Sequence, residues 1–247
     1  METLTYIVRF WNGFESENGK QMSDVRREGR AARPRLTRER VLRTAMTVAD
    51  DGGIAALTIR SLAHELGVKP MSVYHYVANK EEILDGIVDM VFSEIELPRV
   101  GVDWRAEMRR RAHSARAVLG CHRWAIGLLE SRPRPGPATL RHHDAVLGTL
   151  RAAGFSREMT AHAYALIDSF TYGFALQEAS LPFEAQGIVA DDADPDPDLE
   201  QFTDEEYPHM AAMVTEHYVQ PDYRFGDEFD FGLDLVLDAL DASLSTH

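Results

Sequence analysis

Gly67 and Pro70 stand three residues apart in LAHELGVKPMSVYHYVANKEE, and together they leave this part of the chain few ways to fold. A Gly after an apolar-periodic run closes a helix, and a Pro opens the next because its missing N–H has no partner in a first turn. The spacing predicts a short helix capped by Thr58, with Ile59, Leu62, Ala63 and Leu66 inward, then a sharp turn, then a third helix running only to about Tyr76. Upstream, Thr37 caps a helix with an apolar stripe of Val41, Leu42, Ala45, Met46, Val48 and Ala49, which Gly52 and Gly53 end. Downstream, Asn79 and Glu82 have the spacing of a capping box, and Ile83, Leu84, Ile87, Val88, Val91 and Phe92 line the helix that follows, up to Pro98.

The rest of the chain also reads as helical. Asp103 caps a helix from Trp104 to Leu119, and further helices are expected at His122 to Glu130, Pro137 to Ala153 and Arg157 to Ala179, with Gly154 and Ser156 as a stop and restart. Thr203 with Glu206 suggests another capping box, and a last helix covers about Phe229 to Leu240. No segment alternates like a strand between hairpin turns, so the expected fold is all-α, with about nine or ten helices. The expected division is a flexible extension and basic arm (1–35), a helix-turn-helix unit (36–82), and a larger helical domain (83–247). Within the last, DDADPDPDLE marks an exposed acidic loop around 182–202.

The formal charge of −14 hides a division. Residues 20–80 hold 12 Lys or Arg against 6 Asp or Glu, whereas residues 81–247 hold 13 against 31. An anionic partner is therefore drawn to the first part and repelled by the second. The single cysteine, Cys121, has no internal partner for a disulfide and no Cys or His neighbours for a zinc site, which fits a reducing cytoplasm. No apolar run reaches the length of a membrane span, and METLTYIVRFWNGF, which carries Arg9, lacks the apolar core and cleavage pattern of a signal peptide.

A helix, a sharp turn and a very short helix, supported on both sides, match the geometry of a unit that lays its second helix in the major groove of double-stranded DNA. The candidate contacts are Thr58, Arg60, Lys69, Pro70, Met71, Ser72, Tyr74, His75, Tyr76 and Lys80. Ser72 suits a base edge, Tyr74 and His75 suit phosphate or a thymine methyl, and Lys80 suits phosphate beside a helix N-terminus. Met71, Val73 and Val77 are available for packing. The plainer alternative is a structural helix pair, with Arg60 paired to an acid.

The run from Leu36 to Asp89 resembles the DNA-binding domain of the TetR family of bacterial transcriptional regulators. The motifs that carry the likeness are Thr58, Arg60, Leu62 and Ala63, then Leu66-Gly67-Val68, Ser72-Val73-Tyr74 and Asn79-Lys80. Lys69 and Met71 depart from the tetracycline repressor pattern, so the resemblance carries no operator sequence. WRAEMRRRAHSAR, HHDAVLGTLRAAGFS, Tyr172-Gly173-Phe174, Glu206-Tyr207-Pro208 and FDFGLDLVLDAL extend it, more weakly, to the tetracycline-repressor-type C-terminal domain.

The resemblance implies a homodimer on two half-sites, with subunits joined by a bundle of the long helix and the terminal one. Leu166, Phe170, Gly173 and Gln177 fall at helical spacing on the first, and Phe231, Leu235, Val236 and Leu240 on the second; an internal bundle in a monomer has the same pattern. The middle helices mix large apolar residues with isolated polar groups, as a small-molecule effector pocket does, and as does a core with satisfied polar residues. The candidates are Trp104, Met108, His113, Trp124, His142, Phe155, Tyr164, Asp168 and Tyr172. Asp168 needs a partner if buried. No cofactor is expected, and His142 and His143, being adjacent on a helix, point apart and do not suggest a metal site. Neither a glycine-rich nucleotide loop nor a nucleophile elbow is present, which argues against an enzyme. The expected function is a ligand-responsive regulator, a repressor released from a palindromic operator by a small apolar or aromatic effector. The alternative is a helical protein-interaction or small-molecule-binding module that does not bind DNA.

Overall fold

Helix caps written into the sequence set most of the element boundaries. The computed structural model describes residues 35–181, 206–218, 220 and 222–244. The extension at 1–22, nearly all of the basic arm, the acidic loop at 182–202 and the Thr203 cap lie outside the described residues. Among the described residues all regular structure is helical. In order come α1 (Arg38–Ala56), α2 (Ile59–Leu66), α3 (Pro70–Val73), α4 (Lys80–Glu94), α5 (Trp104–Cys121), α6 (Pro137–Ala152), α7 (Arg157–Ser180), α8 (Pro208–Met213) and α9 (Glu228–Leu244).

Thr37, Thr58, Asn79, Asp103 and Ser156 each accept a backbone N–H at the head of their helix, so five orphan donors are satisfied locally. The box at Asn79 closes one residue early: Asn79 Oδ1 accepts from Glu82 N at 2.9 Å, while Glu82 Oε2 accepts from Ala78 N at 2.7 Å. Gly52 and Gly53 bend α1 rather than end it; Gly53 leaves helical geometry at φ 71°, ψ 172° and the helix resumes to Ala56.

The expected helix at His122 to Glu130 is not formed. A single 3-10 turn, Arg123–Ala125, is followed by turns in which Leu128 N donates to Ala125 O and Ser131 N to Leu128 O. Ala125 and Leu129 are buried against α4 and α5 while Trp124 reaches α1, and one continuous helical face does not serve all of these directions.

Two apolar clusters hold the chain. The larger joins Trp104, Met108 and Ala112 of α5, Val146 and Leu150 of α6, Ile167 and Phe174 of α7, and Phe229, Leu233 and Leu237 of α9. The second joins Val88, Val91 and Phe92 of α4 to Ala115 and Leu119 of α5 and to Ala125 and Leu129. At Gly86 a Cβ would stand 2.7 Å from Leu42 Cδ2, so α4 meets α1 closely enough that a larger residue there would have to displace the Leu42 side chain. Gly67 closes α2 at φ 66°, and its N–H donates to Ala63 O and His64 O. Gly67→Ala should therefore destabilise the protein by about 1–2 kcal/mol, read as a lower urea midpoint with an unchanged m-value. An unaltered midpoint would show that the left-handed cap is dispensable.

Candidate DNA-reading helix and effector core

α3 has only four residues, and its packing is done by residues at its end and just beyond. Val73 and Val77 are 0% and 2% exposed, and α3 packs on α2. Met71, expected as a candidate contact and as available for packing, is 72% exposed and does not pack; the second residue of so short a helix faces away from the turn that Val73 anchors. Thr58, Arg60, Lys69, Pro70, Tyr74, His75 and Lys80 are exposed, with Ser72 and Tyr76 half-buried. Thr58 is also a cap, sharing a reciprocal hydrogen-bonded box with Ser61. Among the described residues neither Arg60, Lys69 nor Lys80 has a carboxylate partner, so the cations of this face are open to an anionic ligand.

The nine expected pocket residues separate into groups. Trp104, Met108 and Phe155 are buried in the large apolar cluster, with Trp104 edge-on to Phe155 at 5.0 Å. His113 faces α9, where Nε2 lies 2.8 Å from Asp230 Oδ1. Trp124 donates from Nε1 to Asp50 Oδ1 at 2.6 Å, on α1. His142, Tyr164, Asp168 and Tyr172 come together around Arg111, a residue that the sequence reading missed.

Arg111 is fully buried. Its Nη1 donates to Asp168 Oδ1, its Nε donates to His142 Nε2 at 3.0 Å, and its Nη2 donates to Tyr172 Oη at 3.2 Å. Burial opposes the guanidinium's charge, but the Asp168 carboxylate more than offsets it and holds the Arg111 pKa above its usual value. His142 is pushed down to about 3, first by burial and then by the charge of Arg111. It is thus a neutral imidazole whose Nε2 accepts, so its proton is on Nδ1. Burial, followed by the field of Asp168, raises Tyr164 and Tyr172 above the usual phenol range, and both stay protonated. The signal for Arg111 was available: it falls between Met108 and Ala115 at helical spacing, on the buried face of α5.

This cluster is incompletely satisfied by protein groups. Asp168 Oδ2, His142 Nδ1 and His143 Nε2 are buried without a hydrogen-bond partner within the described residues. His143 also borders a cavity of about 120 Å³ between α4 and the 129–139 segment, with Asp85, Val88, Leu129 and Thr139. That segment is fastened to α4 twice. Arg132 Nε donates to Asp85 Oδ1 at 2.6 Å and its Nη2 to Glu81 Oε2 at 2.8 Å; Asp89 Oδ1 accepts from Thr139 N at 2.8 Å and Oγ1 at 3.0 Å.

On the surface expected to meet a second subunit, Leu166, Gln177, Phe231 and Leu235 are exposed, and Phe170, Gly173 and Val236 are half-buried. Leu240, at 2% exposure, packs in the chain's own core, and Phe170 stacks on Phe229 at 5.5 Å.

Among the described residues no group of His, Cys, Asp and Glu is arranged to hold a metal ion, and no helix is long and apolar enough to cross a membrane. Residues 41–87 match the family described as bacterial regulatory proteins, tetR family, and residues 97–244 match the tetracyclin repressor-like C-terminal domain. The HTH-type transcriptional repressor DrrR1 of Streptomyces coeruleorubidus is 33% identical over 87% of this chain and 81% of its own. The crystal structure of a possible TetR family transcriptional regulator from Streptomyces coelicolor A3(2) has 30% identity and a TM-score of 0.66, over 83% of this chain and 99% of that one. ActR of Streptomyces coelicolor in complex with actinorhodin has 26% identity and a TM-score of 0.68, over 85% and 99%. With a helix-turn-helix unit at its head and a helical domain behind it matched in both sequence and fold, the chain belongs to the TetR family of bacterial transcriptional regulators.

Proposed function

We propose that this protein is a homodimeric repressor that a small, largely apolar or aromatic effector releases from a palindromic operator. Residues 36–82 serve as reader and 83–247 as the effector-binding and dimerisation domain. The observation that carries the effector reading is the set of three buried polar atoms on Asp168, His142 and His143 left without partners inside an apolar core. Such atoms cost about 1–3 kcal/mol each when unsatisfied, and a ligand with matching groups relieves that cost. Phe92 and Tyr164 flank the imidazole of His143 at 5.6 Å each, which favours a flat ring system. ActR, a relative by fold, has been solved with actinorhodin, and a TetR from Acinetobacter baumannii with minocycline.

The cavity of about 120 Å³ is smaller than the roughly 300 Å³ or more of a drug-sized site. An effector therefore has to part α4 from the 129–139 segment in order to enter. Because Arg132 and Asp89 fasten that segment to α4, and α4 begins directly behind the reader, entry shifts the reader. The exposed Leu166, Phe231 and Leu235 supply the subunit contact that fixes the distance between the two readers.

The test uses a duplex selected from random DNA by the full-length protein, with actinorhodin and minocycline as probes. An effective probe should lower duplex affinity by about 5- to 150-fold, and the duplex should lower probe affinity by the same factor. Asp168→Asn should weaken the probe and spare the duplex. Probe affinity that is identical with and without duplex would end the coupling model.

A further inference from the structure

His122 stands where three elements meet, and carboxylates from two of them engage its two ring nitrogens. Nδ1 lies 2.7 Å from Asp50 Oδ1 on α1, within the reading unit, and Nε2 lies 3.1 Å from Glu94 Oε2 in the last turn of α4. The residue itself caps the C-terminal end of α5 and is 7% exposed. Trp124 closes the arrangement: its Nε1 donates to the same Asp50 oxygen at 2.6 Å, and its ring meets His122 at 6.2 Å with an interplanar angle of 62°.

The proton count decides what this junction does. A neutral imidazole has one N–H and can donate to only one of the two carboxylates, which leaves a ring lone pair facing the other; the imidazolium donates to both. We propose that protonated His122 is a positioning residue that pins the reading unit to the effector domain through Asp50 and Glu94, and that losing its proton loosens the reader and weakens operator binding. The inference rests on the operator-binding reading above, because a loosened reader lowers affinity only if two readers must be held at a fixed separation. A protein whose competent arrangement is only partly populated binds with affinity reduced by that fraction.

Among the described residues the charged groups that act on the ring are Asp50 from α1 and Glu94 from α4; its own segment contributes the neutral Trp124, and Arg123 follows it in sequence. Burial opposes the charge, but the hydrogen bonds and fields of the two carboxylates outweigh it and raise the His122 pKa above its ordinary 6.5. A raised folded-state value means that the contact is fully present below the unfolded value and is lost as pH rises through the folded one.

The experiment measures affinity of the full-length protein for its selected duplex from about pH 6 to about 8.5 at constant ionic strength, beside a histidine NMR titration. The wild type should lose about five- to tenfold in affinity across the His122 midpoint. That midpoint should lie above the ordinary 6.5. His122→Gln should bind weakly throughout without this break, and Asp50→Asn with Glu94→Gln should return the midpoint toward the ordinary value and remove the break. A wild-type profile that parallels that of His122→Gln, or a midpoint at or below the ordinary value, overturns the proposal. If selection enriches no duplex, the operator-binding reading fails, and with it the weakening of operator binding. The pinning itself is then judged by hydrogen exchange of residues 38–56, corrected for intrinsic rates. Protection that falls with pH in the wild type and not in His122→Gln supports it, and equal behaviour overturns it.

Discussion

Replacing Arg111 by Met should cost the fold about 3–5 kcal/mol, because it strands the Asp168 carboxylate in an apolar interior. The loss is not a measure of what the pair contributes. Removing both charges together, Arg111→Met with Asp168→Leu, should recover most of the stability, since a buried pair is often no better than apolar residues of similar size. Urea unfolding of the two variants at neutral pH separates these cases. A single variant within about 1 kcal/mol of the wild type would show that Asp168 finds another partner or is solvated. Effector response should not recover in the double variant, which lacks both the free Asp168 oxygen and the guanidinium that fixes the tautomer of His142.

Lys69→Ala combined with Lys80→Ala should reduce operator affinity on the order of a hundredfold or more while leaving helicity and dimerisation intact. Both side chains are exposed, and neither has a carboxylate partner among the described residues, so their loss breaks no ion pair there. In a dimer four cations disappear. The slope of log affinity against log salt should shrink by about 3 to 4, as measured by titrations at several salt concentrations. An unchanged slope would remove both lysines from the phosphate contacts and leave Arg60, Tyr74 and His75 to carry the interface.

The parts of the fold that were legible in the sequence are those decided within a few residues. Thr58, Asn79, Asp103 and Ser156 announced helix starts because a side-chain oxygen and a backbone N–H three or so positions on are enough to make a cap. The reading unit was legible for the same reason, with Gly67 and Pro70 fixing its turn. Met71 was left open between a candidate contact and a packing residue because its direction depends on which neighbour anchors a four-residue helix, and its exposure removes the packing alternative. The His122 to Glu130 segment carried apolar residues at helical intervals, but Trp124, Ala125 and Leu129 answer to different neighbours, and that is a property of the tertiary arrangement. The candidate effector core was half legible. Asp168 called for a partner, yet nothing local distinguishes Arg111 from the two arginines before it except the face on which it falls.

The neutral His142 has a consequence for how the protein divides its sensitivities. With its pKa held near 3, and with the phenols of Tyr164 and Tyr172 held above their usual range, these three groups do not titrate anywhere near neutrality. Across the acidity that a living cell traverses they keep one protonation state, so the pattern of donors and acceptors they present around Arg111 stays constant while the medium changes. The proton response proposed for the α1–α4–α5 corner would therefore leave these three groups of the proposed effector site unchanged.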